Sequence, residues 1–166
     1  MSYHTWTTYG YGVCTDNINT TPERLLKLAA KKPEVLKEVR DYLNDYFDGD
    51  YKDEDLTMED FEELEGDYAE RGVTYVLNQV ITDDELQVVF CDDYNGTPYI
   101  LYMPTYPWRL KAHEKNLTEE NVREIFAKYI RILTDEPVVI DYYEVENGGW
   151  LYVQQKRIVK RNKESS

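Results

Sequence analysis

The sequence predicts an α+β fold, with an antiparallel sheet of about five strands and three to four helices packed on one face. Two observations predict it. Apolar residues recur with the helical period in several segments, and Tyr- and Val-rich runs bounded by turn residues read as strands. A chain of 166 residues with 42% hydrophobic residues can bury one core. We therefore predict a single globular domain over 1–154 and a basic strand end and tail over 155–166.

The chain begins with a predicted strand and a short helix. Residues 2–14, SYHTWTTYGYGVC, alternate bulky and small side chains and are rich in Thr and aromatic residues. Thr20 with Glu23 fits a capping box, and Pro22 suits a first helical turn, where its missing N–H costs little. This predicts a helix that ends at about Lys32.

Pro33 can open a second helix that has two distinct faces. Its apolar positions recur every three or four residues and predict a buried side formed by Val35, Leu36, Val39, Tyr42, Leu43, Tyr46 and Phe47. Carboxylates stacked one turn apart predict a solvent-exposed stripe formed by Glu34, Glu38, Asp41, Asp45 and Asp48. The two patterns share one helix without conflict.

The next segment keeps a helical period but contains breaks. Thr57 with Asp60 marks a helix start, and apolar residues continue at helical spacing as far as Ile81. Gly66 and Gly72 are candidate kinks or ends. One long bent helix and two short ones both fit this pattern.

The second half of the chain predicts two hairpins around a helix. Residues 85–104 form two strands around DDYNGTP, because Asn-Gly accepts positive φ at low cost. Thr118 opens a helix with an unbroken apolar stripe. The runs 137–146 and 150–160, joined by NGG at 147–149, predict a second hairpin.

Negative charge is concentrated in one part of the chain. Residues 41–70 hold fourteen carboxylates and one lysine. Residues 155–166 hold five basic side chains and one Glu, so the rest of the chain, at a formal −18, is more acidic than the total of −14 indicates. Such a field disfavours direct binding to nucleic acid or anionic membranes, and it attracts basic protein surfaces in a salt-sensitive way.

The sequence carries no sign of a membrane span or a secretory signal. No apolar run approaches the roughly 20 residues that cross a bilayer, and the first residues lack a charged start followed by an apolar stretch. We expect a cytoplasmic protein of a bacterial host cell. Cys14 and Cys91 stand far apart outside any metal-binding or redox spacing, which predicts two reduced, buried thiols.

No motif in the sequence predicts catalysis or a tight metal site. His4 and His113 are isolated, and nucleotide-binding, hydrolase and metalloprotease fingerprints are missing from the sequence. A calcium loop with Gly49 at its sixth position would place Tyr46 at the third, where an oxygen ligand is needed. We expect no cofactor, no specific metal and no enzymatic activity, although loose divalent binding by the carboxylates and a carboxylate pair meeting in space stay open.

Most charge runs form a solubilising surface, and the acidic segment could be one. Its crowded like charges favour a binding surface instead, because each repulsion costs a few tenths of a kcal/mol and together they oppose folding. Carboxylates one helical turn apart are spaced roughly like successive phosphates, so a basic groove made for DNA or guide RNA would accept them. We therefore predict a nucleic-acid mimic that binds the basic cleft of a nuclease or another nucleic-acid-binding protein. The candidate contact residues are Glu38, Asp41, Asp45, Asp48, Asp50, Asp53, Glu59, Asp60, Glu62, Glu63 and Asp67.

Two other features predict interactions of their own. Sixteen tyrosines, many on predicted strands, favour an adaptor that binds proteins through a tyrosine-rich sheet face, although Tyr is also a good structural residue of strands. The tail could contact nucleic acid in the same complex or simply keep an edge strand soluble. Its candidate contacts are Lys156, Arg157, Lys160 and Arg161.

Two stretches carry a resemblance to known proteins: MSYHTWTTYGYGVCTD at the start and LTDEPVVIDYYEVENGGW near the end. Together with the small size, the tyrosine content and the acidity, they resemble proteins of phages and mobile elements from gut Firmicutes. The chain is similar in type to anti-CRISPR inhibitors of the type II RNA-guided nuclease. The resemblance implies an inhibitor that binds the nuclease, its guide complex or its DNA channel, and it carries over no individual residues.

Overall fold

The computed structural model describes residues 3–82, 86–102 and 117–150. In these ranges it contains four strands and four α-helices. Their order is β1 (Tyr3–Cys14), α1 (Pro22–Ala29), α2 (Pro33–Tyr46), α3 (Gly72–Ile81), β2 (Val88–Asp92), β3 (Pro98–Tyr102), α4 (Glu119–Leu133) and β4 (Asp141–Trp150). The α+β class is confirmed.

The four strands form one antiparallel sheet in the order β2-β3-β1-β4. The long strand β1 lies at its centre, so that Tyr11 faces Tyr102 on one side and Tyr142 on the other. A Cβ at Gly12 would lie 1.9 Å from the carbonyl oxygen of Ile100, so only glycine allows β1 and β3 to approach so closely here.

The helices and the sheet share one hydrophobic core. Val13 and Ile100 of the sheet join a buried cluster with Leu28 of α1, Leu77 of α3 and Phe126 of α4, all fully buried. Helix α2 packs mainly on α1 and α3 and contributes Val35, Val39 and Leu43 to that cluster. Its other side is therefore turned away from the sheet.

The opposite sheet face buries a smaller cluster of Cys91, Leu101 and Val145. Both cysteines are free and buried, as predicted, and burial raises the pKa of the Cys91 thiol to about 12. Cys14 and Cys91 each pair with Tyr99, from the two strands that flank β3. Two strand spacings of roughly 4.8 Å separate them, which is too far for a disulfide.

The predicted second hairpin is wrong at its turn. Residues 147–149 continue strand β4, and they pair with Trp6, Thr5 and His4 of β1. The Asn-Gly-Gly run has a local preference for turning, but pairing along the whole of β1 overrides that preference. The described sheet accordingly has four strands rather than five. The remainder of the predicted last strand and the tail, with Lys156, Arg157, Lys160 and Arg161, lie outside the described residues.

The first helix starts one residue later than predicted. Thr21 is the N-cap, and its hydroxyl accepts a hydrogen bond from the Arg24 N–H at 3.4 Å, while Pro22 occupies the first turn. The Thr20 hydroxyl instead donates to the Leu133 carbonyl at 2.7 Å and ties this helix start to the end of α4. The helix also ends at Ala29, before the predicted limit.

The other predicted starts and turns are confirmed. Asp93 accepts hydrogen bonds from the N–H groups of Asn95 (2.8 Å) and Thr97 (3.0 Å), which closes the β2–β3 hairpin. Thr118 caps α4. The sequence allowed either one long bent helix or two short ones over 57–81, and the structure has two short helical segments. A 3₁₀ turn spans Met58–Phe61, and α3 follows separately.

Candidate functional site

Helix α2 presents the carboxylate stripe that its sequence predicts. Val35, Val39 and Leu43 are buried on one side, whereas the other side exposes Glu34, Glu38, Asp41 and Asp45. Asp48, the last predicted member, lies beyond the helix end at Tyr46 and has a left-handed backbone with φ of 53°. The stripe is therefore exposed, but it ends in the loop rather than on the helix.

The chain after α2 returns along one flank of the exposed stripe. Asp53 there accepts two hydrogen bonds from the Arg40 guanidinium, at 2.6 and 2.9 Å. The Arg40 hydrogen bonds hold the pKa of the Asp53 carboxyl below its ordinary value. Because Arg40 neutralises it, Asp53 is a weaker candidate for contact with a partner than the sequence suggested.

The 3₁₀ turn Met58–Phe61 lies on the other flank of α2. Phe61 anchors it in the core at 0% exposure, and the Tyr42 hydroxyl donates to the Asp60 carbonyl at 3.1 Å. The Asp60 carboxylate is half-buried and accepts a hydrogen bond from the Thr57 N–H at 2.8 Å. Asp60 is thus a structural residue, whereas Glu59 and Glu62 beside it are exposed.

A cleft of about 400 Å³ opens between α2, the loop after the 3₁₀ turn, and α3. Four carboxylates line it: Glu38, Glu63, Glu65 and Asp67. Two tyrosines, Tyr42 and Tyr75, form part of its wall, and Leu64, Gly66 and Gln79 complete the lining. The fold has thus brought distant acidic residues to one concave surface.

Tyr75 connects α3 to the acidic stripe. Its hydroxyl donates a short hydrogen bond to the Glu38 carboxylate. The pKa of Tyr75 is raised above its ordinary value, mainly by burial and to a smaller extent by this hydrogen bond. The phenol therefore stays protonated at neutral pH. The contact fixes Glu38 on the wall of the cleft.

Glu70 lies behind the lining and is 1% exposed. One carboxylate oxygen, Oε2, accepts a hydrogen bond from the Tyr68 N–H at 3.2 Å, whereas Oε1 has no hydrogen-bond partner in the part of the chain that is described. Burial raises the pKa of Glu70, and the charges of Asp67 and Glu65 raise it further. None of the ion pairs among the described residues involves this carboxylate.

The loop that holds Glu70 is closed by its own backbone. The Gly66 N–H donates to the Glu70 carbonyl at 2.8 Å, and the Gly72 N–H donates to the Leu64 carbonyl at 2.9 Å. A Cβ at Gly66 would lie 1.9 Å from the free Glu70 oxygen, which shows how closely that oxygen approaches the cleft lining. Any other residue at this position would force the Glu70 and Tyr75 side chains to move.

Few basic side chains offset the acidic surface. Arg71 contacts Glu65 at 2.5 Å and Glu63 at 3.7 Å. Lys37 contacts Asp41 at 2.7 Å across one helical turn. Among the described residues, no ion pair involves Asp45, Asp48, Asp50, Glu59, Glu62 or Asp67.

Aromatic rings run through the same surface. Tyr42 stacks on Tyr46 at 5.8 Å between ring centroids, Tyr46 meets Phe47 at 4.8 Å, and Phe47 meets Tyr51 at 5.6 Å. Tyr46 is 51% exposed and Tyr68 is 79% exposed. The prediction that Tyr46 belongs to the buried side of α2 is therefore wrong, because the helix ends there and leaves the ring at the surface.

The predicted contact residues fall into three groups. Glu38, Glu63 and Asp67 meet in the cleft, and Asp53 and Asp60 are engaged in structural bonds. The others are exposed along α2, its following loop and the 3₁₀ turn: Asp41, Asp45, Asp48, Asp50, Glu59 and Glu62.

Sequence reasoning missed four members of the site. Glu65 and Glu70 were only counted among the carboxylates of 41–70, Tyr42 was assigned to the buried side of α2, and Tyr75 was given no role. The one available signal was Gly66, four residues before Glu70 in a segment otherwise typical of a helix, since a glycine there permits a close approach. The glycine by itself does not indicate which side chain packs against it.

Within the described ranges, no group of three or more His, Cys, Asp or Glu side chains is arranged to hold a metal ion. The described helices include none with the length and apolar character needed to cross a membrane. No protein-family model, curated protein or solved structure matches this chain.

Proposed function

We propose that this protein is a non-enzymatic inhibitor that binds the basic nucleic-acid cleft of a nuclease in the cytoplasm of a bacterial host. The target class that we propose is the type II RNA-guided nuclease, which would make the protein an anti-CRISPR. The observation that supports this most is the exposed carboxylate stripe on α2, because it is held on a helix docked in the core and turned away from the sheet.

The electrostatics of the stripe favour a polyanion mimic. Neighbouring side chains one turn apart on a helix lie roughly 5–6 Å from each other, so the stripe holds its carboxylates in a row at fixed spacing. Only Asp41 among them has a described ion pair, with the exposed Lys37. A groove lined with Lys and Arg would exchange its bound anions for these carboxylates, and the gain would fall steeply with salt. The basic residues Lys156, Arg157, Lys160 and Arg161 could add a contact with the guide RNA of the same complex.

The test is inhibition of DNA cleavage by a purified type II nuclease loaded with its guide RNA. The stripe variant, D41K/D45K/D50K, changes two acids of the stripe and Asp50 in the loop that follows it. The matched control, E120K/E124K/E146K, changes three exposed acids elsewhere by the same total charge. We expect the wild-type protein and the control to inhibit, and we expect the stripe variant to lose at least about tenfold in potency, as paired charges at interfaces do. Raising the salt concentration should weaken inhibition by the wild type.

Two results would contradict the proposal. One is a nuclease that remains fully active at a large excess of the wild-type protein. The other is equal loss of potency in the stripe variant and the control, since that would assign the effect to net charge rather than to α2. Circular dichroism of both variants would verify that they are folded.

Exposed tyrosines on the sheet favour a second candidate function, an adaptor that binds another protein through this face. Tyr9 is 45% exposed and Tyr142 is 43% exposed, on adjacent strands. Exposed aromatic side chains are common anchors of protein interfaces. Such binding would depend little on salt, and Tyr9→Ser with Tyr142→Ser would abolish it while leaving the stripe intact.

A further inference from the structure

The cleft beside α2 holds more negative charge than the residues around it neutralise. Glu38, Glu63, Glu65 and Asp67 line it, and Arg71 is the single basic residue with a described contact to any of these four. Arg71 approaches Glu65 at 2.5 Å and Glu63 only at 3.7 Å, so it can neutralise one charge well. Carboxylates gathered in a concave site focus the field and attract a cation more strongly than the same charges spread over a flat surface.

Glu70 is an independent sign that a cation belongs here. Its side chain is almost fully buried, and Oε1 has no partner among the described residues. That oxygen lies against Gly66, which lines the cleft together with Tyr75: a Cβ built on Gly66 would be only 1.9 Å from it. A buried carboxylate without a partner costs free energy, and a positive charge entering the cleft would lower that cost.

The shape and chemistry of the lining favour a guanidinium over a metal ion. The described acids do not converge closely enough to coordinate a metal. They are distributed around the cleft, and a guanidinium has five N–H donors that can serve several acceptors at once. Tyr42, which stacks on Tyr46, and Tyr75 add aromatic surface of the kind on which a planar cation stacks.

We infer that this cleft is a receptor for one arginine side chain of the bound partner. The inference rests on the proposed function, because a basic nucleic-acid cleft supplies exposed arginines. In this arrangement the stripe on α2 provides the long-range attraction, and the cleft provides a single desolvated anchor that fixes the register of binding.

The experiment titrates argininamide into ¹⁵N-labelled protein and follows the backbone amide signals by NMR. Citrullinamide, whose ureido side chain is neutral and nearly the same shape as a guanidinium, is the control ligand, and lysinamide tests whether any cationic side chain suffices. We expect saturable shifts centred on Gly66, Asp67 and Tyr75 with argininamide, at least fivefold weaker binding of lysinamide, and no saturable binding of citrullinamide.

Two variants assign the binding to the cleft. E38Q/D67N removes two lining charges, and Gln at 38 still accepts the Tyr75 hydrogen bond; E59Q/E62Q removes two exposed charges outside the cleft. We expect at least a tenfold loss of argininamide binding in the first variant and less than a twofold change in the second. The NMR spectrum of each free variant reports whether its fold is intact. Should E38Q/D67N perturb the fold, D67N alone replaces it, with an expected loss of at least threefold.

Three results would overturn the inference: no saturable shift with argininamide, equal losses in the two variants, or equal binding of citrullinamide. Equal binding of argininamide and lysinamide would overturn the assignment to a guanidinium. This titration contains no nuclease, so its failure is distinct from failure of the proposed function. If argininamide binds but the wild-type protein inhibits no nuclease, the cleft stands and the proposed target is wrong.

Discussion

Helices α2 and α4 span Pro33–Tyr46 and Glu119–Leu133, and both bury one face in the same core, yet their charged faces differ. Helix α4 has acidic residues in its first turn and Arg131 in its last, which is the favourable arrangement for the helix dipole. Arg123 of α4 also contacts Glu119 at 3.0 Å and Asp141 at 3.3 Å. The charges of α4 therefore support its own structure.

The C-terminal part of helix α2 places its charges against the stability of the helix, whereas Glu34 in the first turn and the Lys37–Asp41 pair support it. Asp45 lies in its last turn, which has no basic residue, so a carboxylate faces the negative end of the dipole. Asp41 and Asp45 are like charges one turn apart, and Asp48 and Asp50 extend the acidic run past the helix end. The stability of the fold therefore does not explain the acidic surface of α2, in contrast to the charges of α4. This difference is our reason for proposing that the acidic surface binds a partner.

The largest expected change in unfolding free energy comes from substitutions in the core, which test whether α2 and α4 are packed equally firmly. We expect Leu43→Ala in α2 to cost about 2–5 kcal/mol of unfolding free energy and Phe126→Ala in α4 about 3–5 kcal/mol, because both side chains are fully buried. Urea denaturation measures both. If Leu43→Ala cost less than about 1 kcal/mol, far below the usual range, α2 would not be firmly held, and the acidic stripe would lose its fixed geometry.

The next effect compares one charged side chain at each helix. Arg123 of α4 is half-exposed and has two carboxylate partners, whereas the buried Glu70 near α2 has no ion pair among the described residues. We expect Glu70→Gln to stabilise the protein at pH 7 by about 1 kcal/mol or more, the usual cost of a buried polar group without its partner.

The pH dependence of that effect has a definite sign. Burial raises the pKa of Glu70 in the folded state above its ordinary value of 4.5, so the folded state binds the proton more tightly. The contribution of protonated Glu70 to the stability of the folded wild-type protein is therefore fully present below pH 4.5. It is lost as the pH rises through the folded-state pKa of Glu70. Urea unfolding of the wild type and of Glu70→Gln, measured from below pH 4.5 to pH 7, should show a difference in unfolding free energy that grows as the pH increases. A gap that is constant with pH would exclude charge as its cause.

The smallest effect is on the exposed charges themselves. We expect Asp45→Asn in α2 to stabilise the protein by about 0.5 kcal/mol, since it removes a like-charge neighbour and an unfavourable dipole contact. The matched change Glu119→Gln in α4 should destabilise it by about 0.3–0.5 kcal/mol, because it breaks the pair with Arg123. Parallel urea titrations at low and high salt measure the two changes, and both should shrink at high salt. The same sign in both variants would refute the comparison.

Patterns that are local in the sequence predicted local structure well. The period of α2 was enough to place Val35, Val39 and Leu43 inside and the carboxylates outside, because a helix fixes which side chains share a face. Asn95-Gly96 was enough to place the β2–β3 hairpin, and Gly96 has the positive φ of 79° that this turn requires. These features depend on residues only a few positions apart.

Features that depend on distant segments were predicted poorly. The Asn-Gly-Gly run at 147–149 looked like a turn, but the pairing of β4 with β1 makes it part of a strand. Asp53 looked like a free contact residue until the fold placed Arg40 beside it. No spacing rule relates these partners, because the chain between them is free to take many paths before the core forms.

The sequence alone determined the class of fold, the two faces of α2 and the exposure of its acidic stripe, since periodicity and propensity act within a few residues. Only the tertiary structure decided that α2, the loop at 63–67 and α3 enclose a cleft, and that Glu70 is buried behind it. The physical reason is that burial and charge pairing depend on which surfaces meet, and those surfaces come from segments whose contacts form only when the whole core packs.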